Sequence, residues 1–322
     1  MAVGTTTIRA PGPRTRVRRW ASGFKERETW WAYGFISLWL VGFLVFSFGP
    51  MIASLVLSFT DYSVIGTTHG VGWSNYHQIV HDPYIKTSLE NTAIFTPLYV
   101  VGTMVFALCL AMMLSRIGQA AGFFRTAFYL PVLTPPVAQG ILYLLLFNGT
   151  YGLVDRALAI VHIPQPFWET DPNWVKPGLV FMMLWQVGAN VVIYLAAIKG
   201  VPRQLYEAAE MDGAPAWRRF KDVTLPMISP ALFFTFIILT INGIQIFAQI
   251  YTAYYFNPNG TSSGGDASLT YVIYLFQQAF VDFHIGYASA MAWLLFLVIA
   301  VITTVQFIGS RRFVYYPGGQ PK

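Results

Sequence analysis

Charge is scarce in this chain. Only 11% of its 322 residues are Asp, Glu, Lys or Arg, while 55% are hydrophobic. Soluble globular domains carry about one-quarter charged residues, so composition alone argues against one. Cysteine is nearly absent: Cys109 stands alone, which excludes an intrachain disulfide and a thiolate metal cluster. No Gly-Lys pair occurs anywhere, so the chain has no G-x-x-x-x-G-K-[ST] loop to cradle a nucleotide phosphate. Ionisable residues are missing from the middle of the apolar runs; Glu90, Arg125, Lys199 and His284 lie near their ends. Intramembrane proton relays are built from such residues. An ion-coupled secondary carrier remains open only through backbone carbonyls at broken helices.

What the chain has instead is long apolar runs. Several exceed the roughly 20 residues needed to cross a bilayer, and six spans are predicted at 32–59, 88–114, 124–147, 177–198, 230–251 and 285–308. With the N-terminus inside, seventeen of the 20 Lys and Arg fall on inner segments; Lys86, Arg156 and Lys176 fall outside. That asymmetry predicts both termini in the cytoplasm. It also makes the net charge of +6 a topology signal rather than a nucleic-acid footprint. The expected layout is a basic cytoplasmic segment 1–30, a membrane domain 31–312 and a short cytoplasmic tail 313–322.

Prolines punctuate the spans. Pro50 predicts a kink or break in the first, and Pro131 with Pro135-Pro136 predicts a broken or bent third span. Backbone groups freed at such a break must face protein or water. The fourth span carries Trp185, Gln186, Asn190 and Tyr194, and the fifth carries Asn242, Gln245 and Gln249. Gln186, Asn190 and Tyr194 are four apart and share one face of a helix. Amides bind hydroxyls in both directions and aromatic rings stack on sugar faces. Two such stripes are expected to line a path for a neutral sugar; the competing reading is glue between helices. His77 and His81 are spaced for a metal pair on a helix, but no third ligand is obvious.

The most polar internal stretch is residues 206–226, inside the predicted cytoplasmic loop 199–229. Glu207, Ala208, Ala209, Glu210 and Met211 are good helix formers. Gly213 suits a left-handed C′ position and Pro215 the first position of a second helix. On that helix Trp217, Phe220 and Val223 form an apolar stripe, and Pro226 and Pro230 are expected to end it. A short helical hairpin with a charged tip is built to be held against another surface.

Glu207-Ala208-Ala209, then Gly213 after three residues, then Val223-Thr224-Leu225-Pro226 after nine more, resembles the EAA loop of ABC-importer permeases. Val223 stands where that family usually has Ile. Weaker likenesses at Gly72-Trp73-Ser74-Asn75-Tyr76, Leu130-Pro131 and Tyr151-Gly152-Leu153 extend the resemblance over most of residues 30–312. It is similar to the carbohydrate-uptake group that includes maltose and glycerol-phosphate permeases. The resemblance implies an all-α integral membrane protein with the type I importer fold and a cytoplasmic coupling helix, in a bacterial plasma membrane. It implies that Glu207, Ala208, Ala209, Asp212, Gly213, Leu225 and Pro226 couple the chain to an ATPase subunit. It further implies a homologous second permease, two ATPase copies holding ATP and Mg, and an extracytoplasmic solute-binding protein. The chain itself is then no enzyme and binds no cofactor or metal. A membrane scaffold without transport would explain the spans but not this loop.

Overall fold

The computed structural model describes residues 27–63, 68–118, 121–148, 152–162, 166–168, 170–256 and 264–315. The basic segment before Arg27, Gly149-Thr150-Tyr151, the stretch around Asn259 and the tail beyond Tyr315 lie outside them. Every regular element among the described residues is helical. Four helices are long and apolar enough to cross a membrane, or six if each of two bent pairs counts as one span.

The chain divides into two units, residues 1–57 and 58–322. In the first, α1 runs Arg27–Phe43, a π turn Leu44–Phe48, then Gly49–Leu57. Pro50 does not break it. The π turn lies just ahead, where Gly49 N–H reaches back to Leu44 O. Widening the helix by one residue there relieves the clash and the lost bond that a proline imposes on the preceding turn.

The second unit begins with a short helix, α2 (Ser74–His81), inside what the sequence predicts as an outer loop. The long helix α3 (Pro83–Arg116) starts five residues before the predicted span. Its boundary is set by Asp82, whose carboxylate caps Tyr84 N–H at 2.9 Å, and by Pro83 in the first turn. The stretch predicted as the third span is broken as expected: α4 (Ala121–Tyr129, extended by a 3-10 turn Leu130–Leu133) and α5 (Pro136–Phe147) meet at 99°. A short outer helix α6 (Leu153–Ile160) follows.

The fourth span departs from the sequence expectation. It is two helices, α7 (Pro172–Leu184) and α8 (Gly188–Lys199), bent by 57° at Trp185–Val187. No proline stands there. Gly188 permits the bend, because any Cβ at that position would collide with the Phe128 carbonyl. The backbone of α4 thus passes directly over the start of α8.

After α9 (Arg203–Met211) comes α10, one helical run from Ala216 to Ile244 with a π turn at Phe220–Thr224. Pro226 and Pro230 therefore do not end the polar segment; both sit inside the helix. The same π device absorbs Pro226: Leu225 N–H bonds Phe220 O, and the ring follows in the first turn of regular helix. The fifth span accordingly ends near Ile244 rather than 251, and Gln249 lies on a separate short helix, α11 (Ala248–Ile250, continued by a π turn Tyr251–Tyr255). The chain closes with α12 (Tyr271–Val281) and α13 (Ile285–Phe313).

Two buried cores hold this unit. One gathers Tyr143, Phe147, Val175, Tyr254, Tyr271 and Met291. The other packs Ala107, Ala111 and Leu114 of α3 against Val187, Val191, Tyr194 and Leu195. Ala107 and Ala111 are completely buried; small side chains at four-residue spacing let helices approach closely within a membrane.

Candidate coupling and transport site

The polar hairpin is built by one turn. Asp212 caps α9, and Gly213 takes φ +69, the left-handed region that glycine enters without Cβ strain. Ala214 N–H bonds Ala209 O at 2.9 Å, and Gly213 N–H bonds Glu210 O at 2.9 Å. These nested bonds are a Schellman motif, with Gly213 at C′ as the sequence predicts. Pro215 precedes the second helix as its N-cap rather than its first residue.

Side chains then lock the two arms. Arg219 on α10 pairs with Glu210 on α9. Tyr206 Oη and Thr224 Oγ1 are hydrogen-bonded at 2.9 Å. Arg203 pairs with Glu207 at 3.2 Å and Arg218 with Asp222 at 3.4 Å, each within one helix and largely exposed. Exposed pairs of that kind contribute about 0–1 kcal/mol, so Glu207 can exchange its partner at little cost. Glu207, Ala208, Asp212 and Gly213 are exposed, and Ala209 is half-buried. Trp217 is 70% exposed, a large apolar side chain with no core to fill. Leu225 and Pro226 are half-buried and border a cavity of about 500 Å³ between α10 and α13. There Ser229 Oγ accepts from Tyr315 N–H at 2.9 Å and donates to Pro226 O at 2.6 Å. The end of α13 is pinned to the start of the fifth span.

The predicted path residues separate into two groups. Gln186 sits in the break between α7 and α8 and donates to Thr134 O at 2.9 Å and Pro131 O at 3.4 Å. Both carbonyls lie beside the α4–α5 break. Tyr194 is completely buried and bonded to Thr235 Oγ1 of α10 at 2.5 Å. Gln186, Asn190 and Tyr194 therefore do not form one continuous face. Trp185 is 46% exposed. Asn242 and Gln245 are exposed, and Asn190 and Gln249 half-exposed. None of these four amides has a side-chain hydrogen bond among the described residues. Gln245 caps α10 at the break that leads to α11.

Sequence reasoning missed three polar residues that tie distant elements together. Asn91 Nδ2 donates to Asp266 O and Leu269 O at 2.6 and 2.9 Å. Gln139, buried, donates to Met182 O at 2.8 Å. Asp82 takes hydrogen bonds from Tyr274 and Tyr287 at 2.6 and 2.7 Å. An amide or acid beside an apolar run is the signal all three share. His77 and His81 stack at 4.4 Å, with no group of three metal-binding side chains among the described residues.

Comparison with known proteins agrees with this architecture. Residues 103–315 match the family described as binding-protein-dependent transport system inner membrane component. The chain is 35% identical over 287 residues to the probable ABC transporter permease protein YesP of Bacillus subtilis (strain 168), covering 88% of this chain and 91% of that protein. It is 34% identical over 273 residues to the lactose transport system permease protein LacF of Rhizobium radiobacter, covering 83% and 90%. Among solved structures, a chain of a bacterial alginate ABC transporter, in complex with its alginate pentasaccharide-bound periplasmic protein, superposes with a TM-score of 0.78. That match has 22% identity and covers 89% of this chain and 96% of the other. The chain belongs to the binding-protein-dependent transport system inner membrane component family, the ABC-importer permeases.

Proposed function

We propose that this permease subunit moves a sugar or oligosaccharide inward, with the 203–219 hairpin transmitting the work of a partner ATPase. As a permease of this family the chain is not the hydrolytic subunit; ATP and its Mg belong to partner chains. One observation carries the proposal. The hairpin is a locked unit whose second arm is the start of α10, one helical run to Ile244. A force applied at Glu207, Ala208, Ala209, Asp212 and Gly213 therefore has a stiff lever into the bilayer, with Leu225 and Pro226 in its shank. The exposed Trp217 and the replaceable Arg203–Glu207 pair suit a docking face.

The proposed topology has six spans, with both bent pairs counted as spans and both termini on the ATPase side of a bacterial plasma membrane. A second, homologous permease and two ATPase copies complete the complex, and a solute-binding protein delivers the cargo from outside. The permease named for lactose and the transporter solved with an alginate pentasaccharide support a carbohydrate cargo. Trp185, Asn190, Asn242, Gln245 and Gln249 are assigned to the path. Gln186 and Tyr194 stand behind it as braces. ATP binding and the loaded binding protein favour the outward-facing state, and hydrolysis releases it.

Affinity purification from the native membrane, followed by mass spectrometry, tests the assembly. An ATPase and a binding protein at fixed stoichiometry are expected. The captured binding protein is then screened against mono- and oligosaccharides. Its binding an amino acid or a metal ion in place of any sugar would overturn the cargo assignment.

A further inference from the structure

We infer that the cleft between the coupling hairpin and the ends of α3 and α8 is a binding site for a phosphate group. The cleft has a volume of about 580 Å³ and is lined by Arg116, Lys199 and Arg219 with Ser115, Tyr206 and Thr224. Three cations thus converge from three separate elements: the last turn of α3, the last turn of α8 and the second arm of the hairpin. No carboxylate lines the cleft. Glu210 neutralises Arg219 and holds it in place, but Arg116 and Lys199 have no acidic partner among the described residues. Basic residues at helix C-termini offset the helix dipole. That role explains Arg116 and Lys199 singly; it does not explain why both share one concavity with Arg219 and hydroxyl groups. Charge-assisted hydrogen bonds from the guanidinium and ammonium groups to an oxyanion fit this cleft; the hydroxyls of Ser115, Tyr206 and Thr224 are bonded within the chain and serve as its wall. A phosphate seated there would bridge the hairpin to two span ends and stiffen the lever at its base.

Two sources supply that chemistry, an anionic lipid headgroup and free phosphate. The cleft stands on its own geometry; its position in the cytoplasmic leaflet rests on the proposed topology. The test uses the full chain in detergent, with bound ligands counted by native mass spectrometry. Phosphatidylglycerol, phosphatidylcholine and inorganic phosphate are titrated separately. Arg116→Gln/Lys199→Gln is compared with Lys221→Gln/Arg312→Gln, which removes the same charge outside the cleft. Phosphatidylglycerol or inorganic phosphate is expected to bind wild type, with affinity falling about tenfold in the cleft variant and less than about twofold in the control. Loss confined to phosphatidylglycerol identifies a headgroup site, and loss confined to inorganic phosphate a free-anion site. Equal losses in both variants, or no binding of either anion, would overturn the assignment. The lipid outcome does not depend on the cargo or the ATPase, so it fails separately from the proposed function.

Discussion

The side-chain amide of Gln186 donates to the carbonyl of Thr134 at 2.9 Å, so the break between α7 and α8 is tied to the break between α4 and α5. A carbonyl freed by a break cannot face lipid and needs a donor from protein or cavity water. Gln186→Leu removes its donor at nearly constant volume. The expected cost is about 1–3 kcal/mol, seen as a lower midpoint in thermal unfolding of the detergent-solubilised chain. Transport per assembled complex should stay near wild type. A variant as stable as wild type but defective in uptake would move Gln186 back to the path.

The unpartnered amides make the opposite prediction. Asn190→Ala, Asn242→Ala and Gln245→Ala remove no hydrogen bond among the described residues. Each should lower solute uptake severalfold while leaving the unfolding midpoint unchanged. Tyr194→Phe should do the reverse: it loses the Thr235 bond, worth on average about 0.6 kcal/mol between membrane helices, and keeps uptake. Normal uptake in all three amide variants would make them glue and remove the path.

At the start of α3, Asp82 is an N-cap and a clamp at once. One oxygen caps α3 at Tyr84 N–H, and the other accepts from Tyr274 and Tyr287. Burial first, and then the Asp82 carboxylate beside it, pushes the Tyr274 phenol above its ordinary value. A raised folded pKa means the proton-bound clamp is fully present below the unfolded value of about 10. It weakens only as pH rises beyond that. Asp82→Ala should therefore destabilise by about 3.5 kcal/mol or more, one cap and two charge-assisted bonds. The loss should be constant between pH 7 and 9. A loss that fades across that window would contradict the clamp.

The proposed topology can be read with tags. A tag at Lys322 and one in the hairpin after Met211 should be shielded in intact cells, and one after Asn259 labelled. External labelling of Lys322 would contradict the six-span arrangement.

How much of this was legible in the sequence depended on which residue carried the signal. Gly213 was legible, because a left-handed turn between two helix-forming runs has one cheap solution. The α4–α5 break was legible for the same reason, with Pro135-Pro136 to mark it. Pro226 and Pro230 misled, since a π turn lets a helix run through a proline and leaves no compositional trace. The α7–α8 break was hidden as well. It depends on the α4 backbone crossing Gly188, a tertiary contact that Trp185-Gln186-Val187 does not encode. Gln186 and Tyr194 therefore looked like their neighbours in the stripe. Only the positions of Thr134 and Thr235 distinguish them from Asn190.

If ATP-driven work enters this permease through the 203–219 hairpin, as proposed, the turn at Gly213 is the place to interrupt it. Gly213→Val forces a β-branched residue to φ +69, a strain of about 1–3 kcal/mol. An added Cβ meets no atom within 4 Å there, so the strain falls on the turn rather than on a clash at Cβ. Combined with Glu207→Ala, it should leave the chain in the membrane and the solute path intact. The measurement is ATP hydrolysis by the reconstituted complex in vesicles, with and without solute-loaded binding protein. Stimulation should be lost while the permease remains at wild-type abundance. Stimulation equal to wild type, at equal subunit stoichiometry, would contradict it.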